Sequence, residues 1–296
     1  MPELPEVETV CRGLEPVLRG ARVVRVEQRR ADLRFPFPPR FAARLEGQTV
    51  EKLERRSKYI LAQLSGGEVL VVHLGMTGRL SVSSGTHQFQ ADTLGSYVYG
   101  SGASPKHDHA VLHLESGASV IYNDPRRFGF MLLIAAKDVA AHPLFKALGV
   151  EPLSEDLSAR YLAGRAVGRK LDTKAFLMDQ RHVAGLGNIY VCEALFRAQL
   201  SPLAPASRLA FRNGAPNNRC EALVPVIRTV LQEAIAAGGS TLRDYRHTDG
   251  ESGTFQDDFR VYGREGEPCM RAGCSGKVRR SVQSGRSTFW CPKCQK

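Results

Sequence analysis

Four cysteines crowd the end of the chain, at Cys269, Cys274, Cys291 and Cys294. The spacing is a pair with four residues between, sixteen residues, then a pair with two between. Two such pairs are the pattern of two knuckles that deliver four thiolates to one zinc ion. So short a segment has too little apolar surface for its own core, and metal binding would supply its folding energy. Between the pairs, 277–281 and 286–290 read as the strands of a hairpin carrying Arg279, Arg280 and Arg286, with Arg286 near the turn. One structural zinc ion is therefore expected. The other cysteines, Cys11, Cys192 and Cys220, sit in apolar helical patterns and are read as reduced core residues.

The opposite end has chemistry of its own. Met1-Pro2-Glu3-Leu4-Pro5-Glu6 puts a small residue second, which favours removal of Met1. Pro2 would then be a terminal secondary amine. An α-amine titrates near ~8, well below the ~10.4 of a lysine, so part of it is unprotonated at neutral pH. Such an amine can attack a carbon bearing a leaving group and collapse to an iminium. Glu3, alongside, is a natural acid/base partner. Proline and glutamate in a first helical turn are also ordinary helix-start residues, and that reading stays open. No run of 18 apolar residues is present, and the N-terminus lacks the basic and apolar blocks of a secretory signal. A cytoplasmic monomer with no membrane span and no disulfides is expected.

Apolar residues from Leu4 to Leu18 recur at helical spacing, predicting a helix over 5–19 closed by Gly20. Short β-branched segments follow at 22–29, 48–56, 58–64, 69–73, 79–82, 109–114, 119–123 and 130–134, separated by glycine-bearing turns. They predict a leading helix on a two-layer β-sandwich over 1–135. The Gly/Ser-rich stretch 86–105 reads as a surface insertion. Three cations, Arg55, Arg56 and Lys58, lead into the strand at 58–64 in Arg55-Arg56-Ser57-Lys58. Met76 sits in a turn between Gly75 and Gly78. In Asp124-Pro125-Arg126-Arg127-Phe128-Gly129 a turn opened by Asp-Pro and closed by Gly leaves Arg126 and Phe128 at its tip. Phe128 either folds back on the core or serves as a wedge in a base stack.

Residues 136–155 read as a linker, 156–262 as a helical domain and 263–296 as the zinc hairpin. Helices are predicted over 175–181, 189–198 and 219–237. His182-Val183-Ala184-Gly185-Leu186-Gly187-Asn188 lies between the first two, and Asn188 as N-cap would leave backbone N–H groups free for a phosphate. Arg169, Lys170 and Lys174 stand just upstream. The net charge of +11 points to a polyanionic partner, nucleic acid first. The polar, glycine-bearing stretch 242–255 is expected to be mobile.

Taken together, these motifs resemble the bacterial formamidopyrimidine-DNA glycosylase family along the whole chain. The resemblance implies an α+β protein: an N-terminal helix and β-sandwich, then a helix-two-turn-helix and a zinc-finger β-hairpin. It implies a bifunctional glycosylase and AP lyase that excises oxidised purines, in duplex DNA that carries oxidised bases or abasic sites. By that resemblance Pro2 is the nucleophile, Glu3 its acid/base partner, Lys58 assists strand cleavage, and Arg286 reaches the lesion and helps the second elimination. Met76, Arg126 and Phe128 would fill the gap left by the flipped base, and His107, Arg169, Lys174 and Asn188 would contact DNA. The loop at 242–255 would cap the extruded base. Many relatives have two residues in the first cysteine pair, and the four here put that knuckle's shape in doubt. Two other readings compete: the endonuclease VIII branch acting on oxidised pyrimidines, and a catalytically silent zinc-ribbon DNA-binding protein.

Overall fold

The computed structural model describes residues 1–83, 104–240 and 253–296. The expected insertion over 86–105, apart from its last two residues, and most of the stretch 242–255 lie outside them. Contacts divide the chain into two units, Met1–Lys146 with Ala237–Thr254, and Ala147–Ala236 with Phe255–Lys296.

The first unit opens with α1 (Leu4–Leu18), whose inward face is Leu4, Val7, Val10, Leu14 and Leu18, all at most 6% exposed. Arg19 is its C-cap and Gly20 follows at φ +77°, in the left-handed region that glycine tolerates. Then come β1 (Val23–Gln28), α2 (Phe41–Leu45), β2 (Val50–Arg56), β3 (Tyr59–Leu64), β4 (Glu68–His73), β5 (Arg79–Ser83), β6 (Asp108–Leu114), β7 (Ser119–Asn123) and β8 (Phe130–Ala135). All eight expected strands form. They make two four-stranded sheets, β1-β6-β7-β5 and β2-β3-β4-β8, antiparallel throughout. Alternation drives the layering: in β3, Ile60, Ala62 and Leu64 are buried while Tyr59, Leu61 and Gln63 are half-buried. Ile60, Leu70, Leu80, Leu112 and Val120 join the α1 face in one core. Fully burying a side chain of this size stabilises by about 1.5–3 kcal/mol.

The second unit contains α3 (Ala159–Ala166), α4 (Thr173–Met178), α5 (Asn188–Arg197), α6 (Asn218–Ala236) and a hairpin of β9 (Arg279–Gln283) and β10 (Arg286–Trp290). Ser158 caps α3 by accepting the Tyr161 N–H, and Asp172 caps α4 by accepting the Ala175 N–H at 2.7 Å. The cap at Asp172 starts α4 two residues before the sequence reading placed it. β9 also differs, beginning at Arg279 rather than residue 277. Val278 exchanges backbone hydrogen bonds with Gly266 and Glu267 instead, so the chain pairs locally before it joins β10. Ser284 and Gly285, at φ +48° and +73°, form the two-residue turn that joins the strands.

Candidate active site

Glu3 is the N-cap of α1 and forms a capping box with Glu6. The Glu3 N–H donates to Glu6 Oε2 at 2.8 Å, and the Glu3 carboxylate accepts the Glu6 N–H. Pro2, buried, precedes the cap by one residue. The helix-start reading of Pro2-Glu3 describes this geometry, and the cap fixes where the chain's first residues lie. The other Glu6 oxygen accepts from the Ser240 N–H at 2.8 Å and the Ser240 hydroxyl at 2.9 Å.

Lys58 is 8% exposed and stands in the two-residue turn between β2 and β3, beside Ser57 at φ +55°. A non-glycine residue there costs on the order of 1 kcal/mol, so its surroundings must hold it. Arg55 does so, donating from Nη1 to the Ser57 carbonyl at 2.9 Å and from Nε to Glu8 Oε2 at 2.7 Å. The turn bearing Lys58 is thereby tied to the helix that follows Pro2. Burial alone would raise the Glu8 carboxyl, but hydrogen bonds from Arg55 and Arg12 outweigh it and hold the group below its usual value. His73 sits nearby, its ring 5.1 Å from the rings of Tyr59 and Phe130. Its Nδ1 accepts the Gly75 N–H at 3.0 Å. Burial first, then the charges on Lys58 and Arg34, push its pKa down to about 4, so the ring is neutral as that bond requires.

Phe128 is 44% exposed and not folded onto the core, and the Arg126 guanidinium lies 4.7 Å from its ring centre. Met76 and His107 are half-buried. His109, beside His107, is 3% exposed and bonds through Nε2 to the Asp124 carbonyl at 2.8 Å, so it belongs to the interior.

In the second unit Arg169 and Arg286 are exposed, and Arg286 lines a cavity of about 380 Å³ with Leu171, Met178, Gln283 and others. Two expectations are corrected. Gly187, not Asn188, is the N-cap of α5. Asn188 is the first helical residue, and its Nδ2 donates to the Ser287 carbonyl at 3.0 Å and the Tyr262 hydroxyl at 3.4 Å. Lys174, expected on a DNA phosphate, is 1% exposed. Its ammonium donates to the Ser287 carbonyl at 3.1 Å and the Thr288 hydroxyl at 2.7 Å, facing β10 inside the unit.

The four cysteine sulfurs lie within 4.8 Å of one another. Cys269–Cys294 and Cys274–Cys291 are each 3.8 Å apart. Tetrahedral zinc with Zn–S of about 2.3 Å separates sulfurs by roughly 3.8 Å, so the donor set fits the ion. A Cβ on Gly276 would lie 2.7 Å from the Cys291 sulfur, which only glycine avoids. Among the described residues this is the group of ligating side chains placed to hold a metal. By contrast, burial pushes the Cys11 thiol up to about 12 and the Cys220 thiol up to about 11, leaving both inert.

Three family comparisons decide what the fold belongs to. Residues 1–131 match the formamidopyrimidine-DNA glycosylase N-terminal domain, 148–246 its H2TH domain, and 266–296 the zinc finger found in FPG and IleRS. The chain belongs to the formamidopyrimidine-DNA glycosylase family. It is 57% identical over 296 residues to the formamidopyrimidine-DNA glycosylase of Bradyrhizobium sp. (strain ORS 278), covering all of both chains. It is 56% identical over 296 residues to that of Rhodopseudomonas palustris (strain BisB18), again over all of both. The crystal structure of MutM (Fpg) from Thermus thermophilus superposes with a TM-score of 0.78 at 40% identity, covering 99% of this chain and 98% of that one. A Lactococcus lactis Fpg complexed with abasic-site DNA gives 0.82 at 31% identity over both full chains. The protein is thus a base-excision-repair glycosylase of this family with one structural zinc ion.

For a formamidopyrimidine-DNA glycosylase, the residues the sequence reading missed are connectors. In the sequence Arg55 reads only as charge, yet it bridges Glu8 and Ser57. Glu193 on α5, 0% exposed, accepts N–H groups from Arg260, Val261 and Tyr262. A glutamate in an otherwise buried helical run was the available signal.

Proposed function

We propose that the protein is a bifunctional glycosylase and AP lyase for oxidised purines such as 8-oxoguanine and formamidopyrimidines. The reading is carried by one observation: the buried Pro2-Glu3 pair, fixed by the capping box, and buried Lys58 are tied to the same helix through Arg55 and Glu8.

After loss of Met1, the Pro2 nitrogen attacks C1′ of a flipped nucleotide. The glycosidic bond breaks and the damaged base leaves with its electron pair and a proton. Glu3 supplies a proton or hydrogen bond to the opening sugar. The resulting iminium acidifies C2′; removal of that proton expels the 3′ phosphate, and a second elimination expels the 5′ phosphate. Water then hydrolyses the iminium and restores the amine. Lys58 assists strand cleavage, and Arg286 serves the second elimination. Met76, Arg126 and Phe128 fill the vacated stack, the exposed Arg126–Phe128 pair suiting insertion. His107, Arg169 and the start of α5 at Asn188 contact phosphates of double-stranded DNA, as +11 net charge favours.

Borohydride trapping on abasic DNA, followed by single-turnover excision on a panel of lesions, tests the reading. A covalent adduct and preferred release of oxidised purines are expected. No adduct would leave a DNA-binding protein, and faster release of oxidised pyrimidines would place the enzyme on the endonuclease VIII side.

A further inference from the structure

Two turns of the first unit carry the side chains assigned to the vacated stack. One, after β4, holds Met76; the other, after β7, holds Arg126 and Phe128. They touch backbone to backbone: a Cβ on Gly75 would lie 2.3 Å from the Gly129 nitrogen and 2.4 Å from the Phe128 carbonyl carbon. No methyl group fits between the two turns at Gly75.

Asp124 stands where they meet and is 0% exposed. Its Oδ1 accepts from the Thr77 hydroxyl of the first turn at 2.5 Å and from the Arg126 N–H of the second at 3.3 Å. Its Oδ2 accepts the Gly129 N–H at 2.9 Å and the Tyr122 hydroxyl at 3.4 Å. The Thr77 hydroxyl also accepts the Arg126 N–H at 3.2 Å. The Asp124 main chain is itself pinned, its N–H to the His107 carbonyl at 3.0 Å and its carbonyl by His109 Nε2. A turn that needed only an Asp-Pro start would use one carboxylate oxygen on its own backbone. Here the second turn is bonded through both oxygens, and the first is joined to them through Thr77.

We propose that Asp124 is a positioning residue that locks the two turns into one rigid wedge, so that Met76, Arg126 and Phe128 enter the stack as a unit. The assignment rests on the proposed function. Asp124 touches neither substrate nor Pro2 chemistry in this scheme, and its effect is confined to steps that need the duplex opened. A displacement of the order of 1 Å in a positioned group lowers rate by roughly 100-fold.

The test compares two substrates. One is a lesion duplex, where the wedge must fill a gap; the other is a single-stranded abasic oligonucleotide, which has no opposite base to hold apart. Asp124→Asn keeps the shape but turns an NH₂ toward a backbone N–H. Thr77→Val removes the hydroxyl that joins the turns and leaves the bond to Gly129, so it serves if the first variant does not fold. Single-turnover excision from the duplex should fall roughly 10- to 100-fold for Asp124→Asn and several-fold for Thr77→Val. Borohydride trapping on the single strand should stay within about twofold of wild type. Thr77→Ser should restore excision, and the double variant should be no slower than Asp124→Asn alone. Equal losses on both substrates, unchanged excision, or losses that multiply in the double variant would overturn the wedge assignment while wild type still traps DNA. A wild type that traps nothing overturns the functional reading, and this inference with it.

Discussion

Glu193 offers a stringent test of how the second unit is held. Its carboxylate is 0% exposed on α5 and receives three backbone N–H groups: Val261 and Tyr262 on Oε1 at 3.0 and 2.9 Å, and Arg260 on Oε2 at 3.0 Å. The segment they belong to leads into the zinc finger. Val261 also packs with Cys192 and Phe196 of α5 and with Cys269 and Cys291 of the metal site. Glu193→Gln keeps the volume and both bonds on one oxygen. Its amide then meets the Arg260 N–H donor to donor. Losing one charge-assisted bond and gaining that conflict costs about 2–3 kcal/mol. Glu193→Ala strips the acceptor from all three donors. At about 1–3 kcal/mol per unsatisfied group, partly relieved by water, the cost is roughly 4 kcal/mol.

Amide hydrogen exchange over 259–264 measures this directly, because those N–H groups are the ones released. Local opening made easier by 2–3 kcal/mol speeds exchange roughly 30- to 150-fold. Zinc loss to a chelator should quicken in parallel. Glu233→Ala is the control: Glu233 is 48% exposed and paired with Arg197 on the surface, worth under about 1 kcal/mol. If Glu193→Ala perturbs exchange no more than Glu233→Ala, the Glu193 carboxylate does not hold the 260–262 segment.

Four further outcomes are expected. Retaining Met1, or adding a tag before Pro2, should abolish base release and leave DNA binding intact, since an amide nitrogen is not nucleophilic; a blocked enzyme that still releases base at full rate would refute Pro2 as nucleophile. Cys291→Ser should lose zinc by metal analysis and weaken DNA binding while the sandwich keeps its far-UV signature. His73 should make stability fall with acid: the unfolded imidazole takes a proton near its usual ~6.5 and the folded one only near 4, so stability present above 6.5 is lost as pH drops toward 4. The loss is on the order of 3 kcal/mol, and urea midpoints of His73→Asn over that range should not share it. Finally, Arg126 offers planar donors that suit the free N3 and O2 of an orphan cytosine, so 8-oxoguanine should leave faster opposite cytosine than adenine; equal single-turnover rates in wild type would remove that argument.

The strands were legible because each is a short, β-branched or apolar segment bounded by turn residues, and β7 falls on the very residues expected, Ser119–Asn123. β9 slipped because Lys277 and Val278 have two possible partners, and the pairing with 266–268 is nearer along the chain. The one-turn helix α2 follows Pro36, Pro38 and Pro39, which read as loop. No local pattern announces that Ser240 bonds to Glu6, 234 residues away, because nothing in either neighbourhood encodes the other.

The same distinction separates the site residues. The zinc ligands were legible because two pairs of them flank one hairpin within a short stretch of chain, and spacing alone brings the sulfurs together. Lys174 was not. A lysine shortly after Arg169-Lys170 looks like part of a solvated basic face, and its partners on β10 lie 113 and 114 residues further on. What fixes its fate is burial: a cation that is 1% exposed must give its protons to oxygens nearby. It shares the Ser287 carbonyl with Asn188, so α4 and α5 each hold the strand that begins at Arg286. Lys174→Met should therefore disturb the hairpin before it alters any phosphate contact. An unchanged salt dependence of DNA binding, with faster amide exchange over 286–290, is the signature that separates an internal tether from a phosphate ligand, whose loss would lower the salt slope by about one.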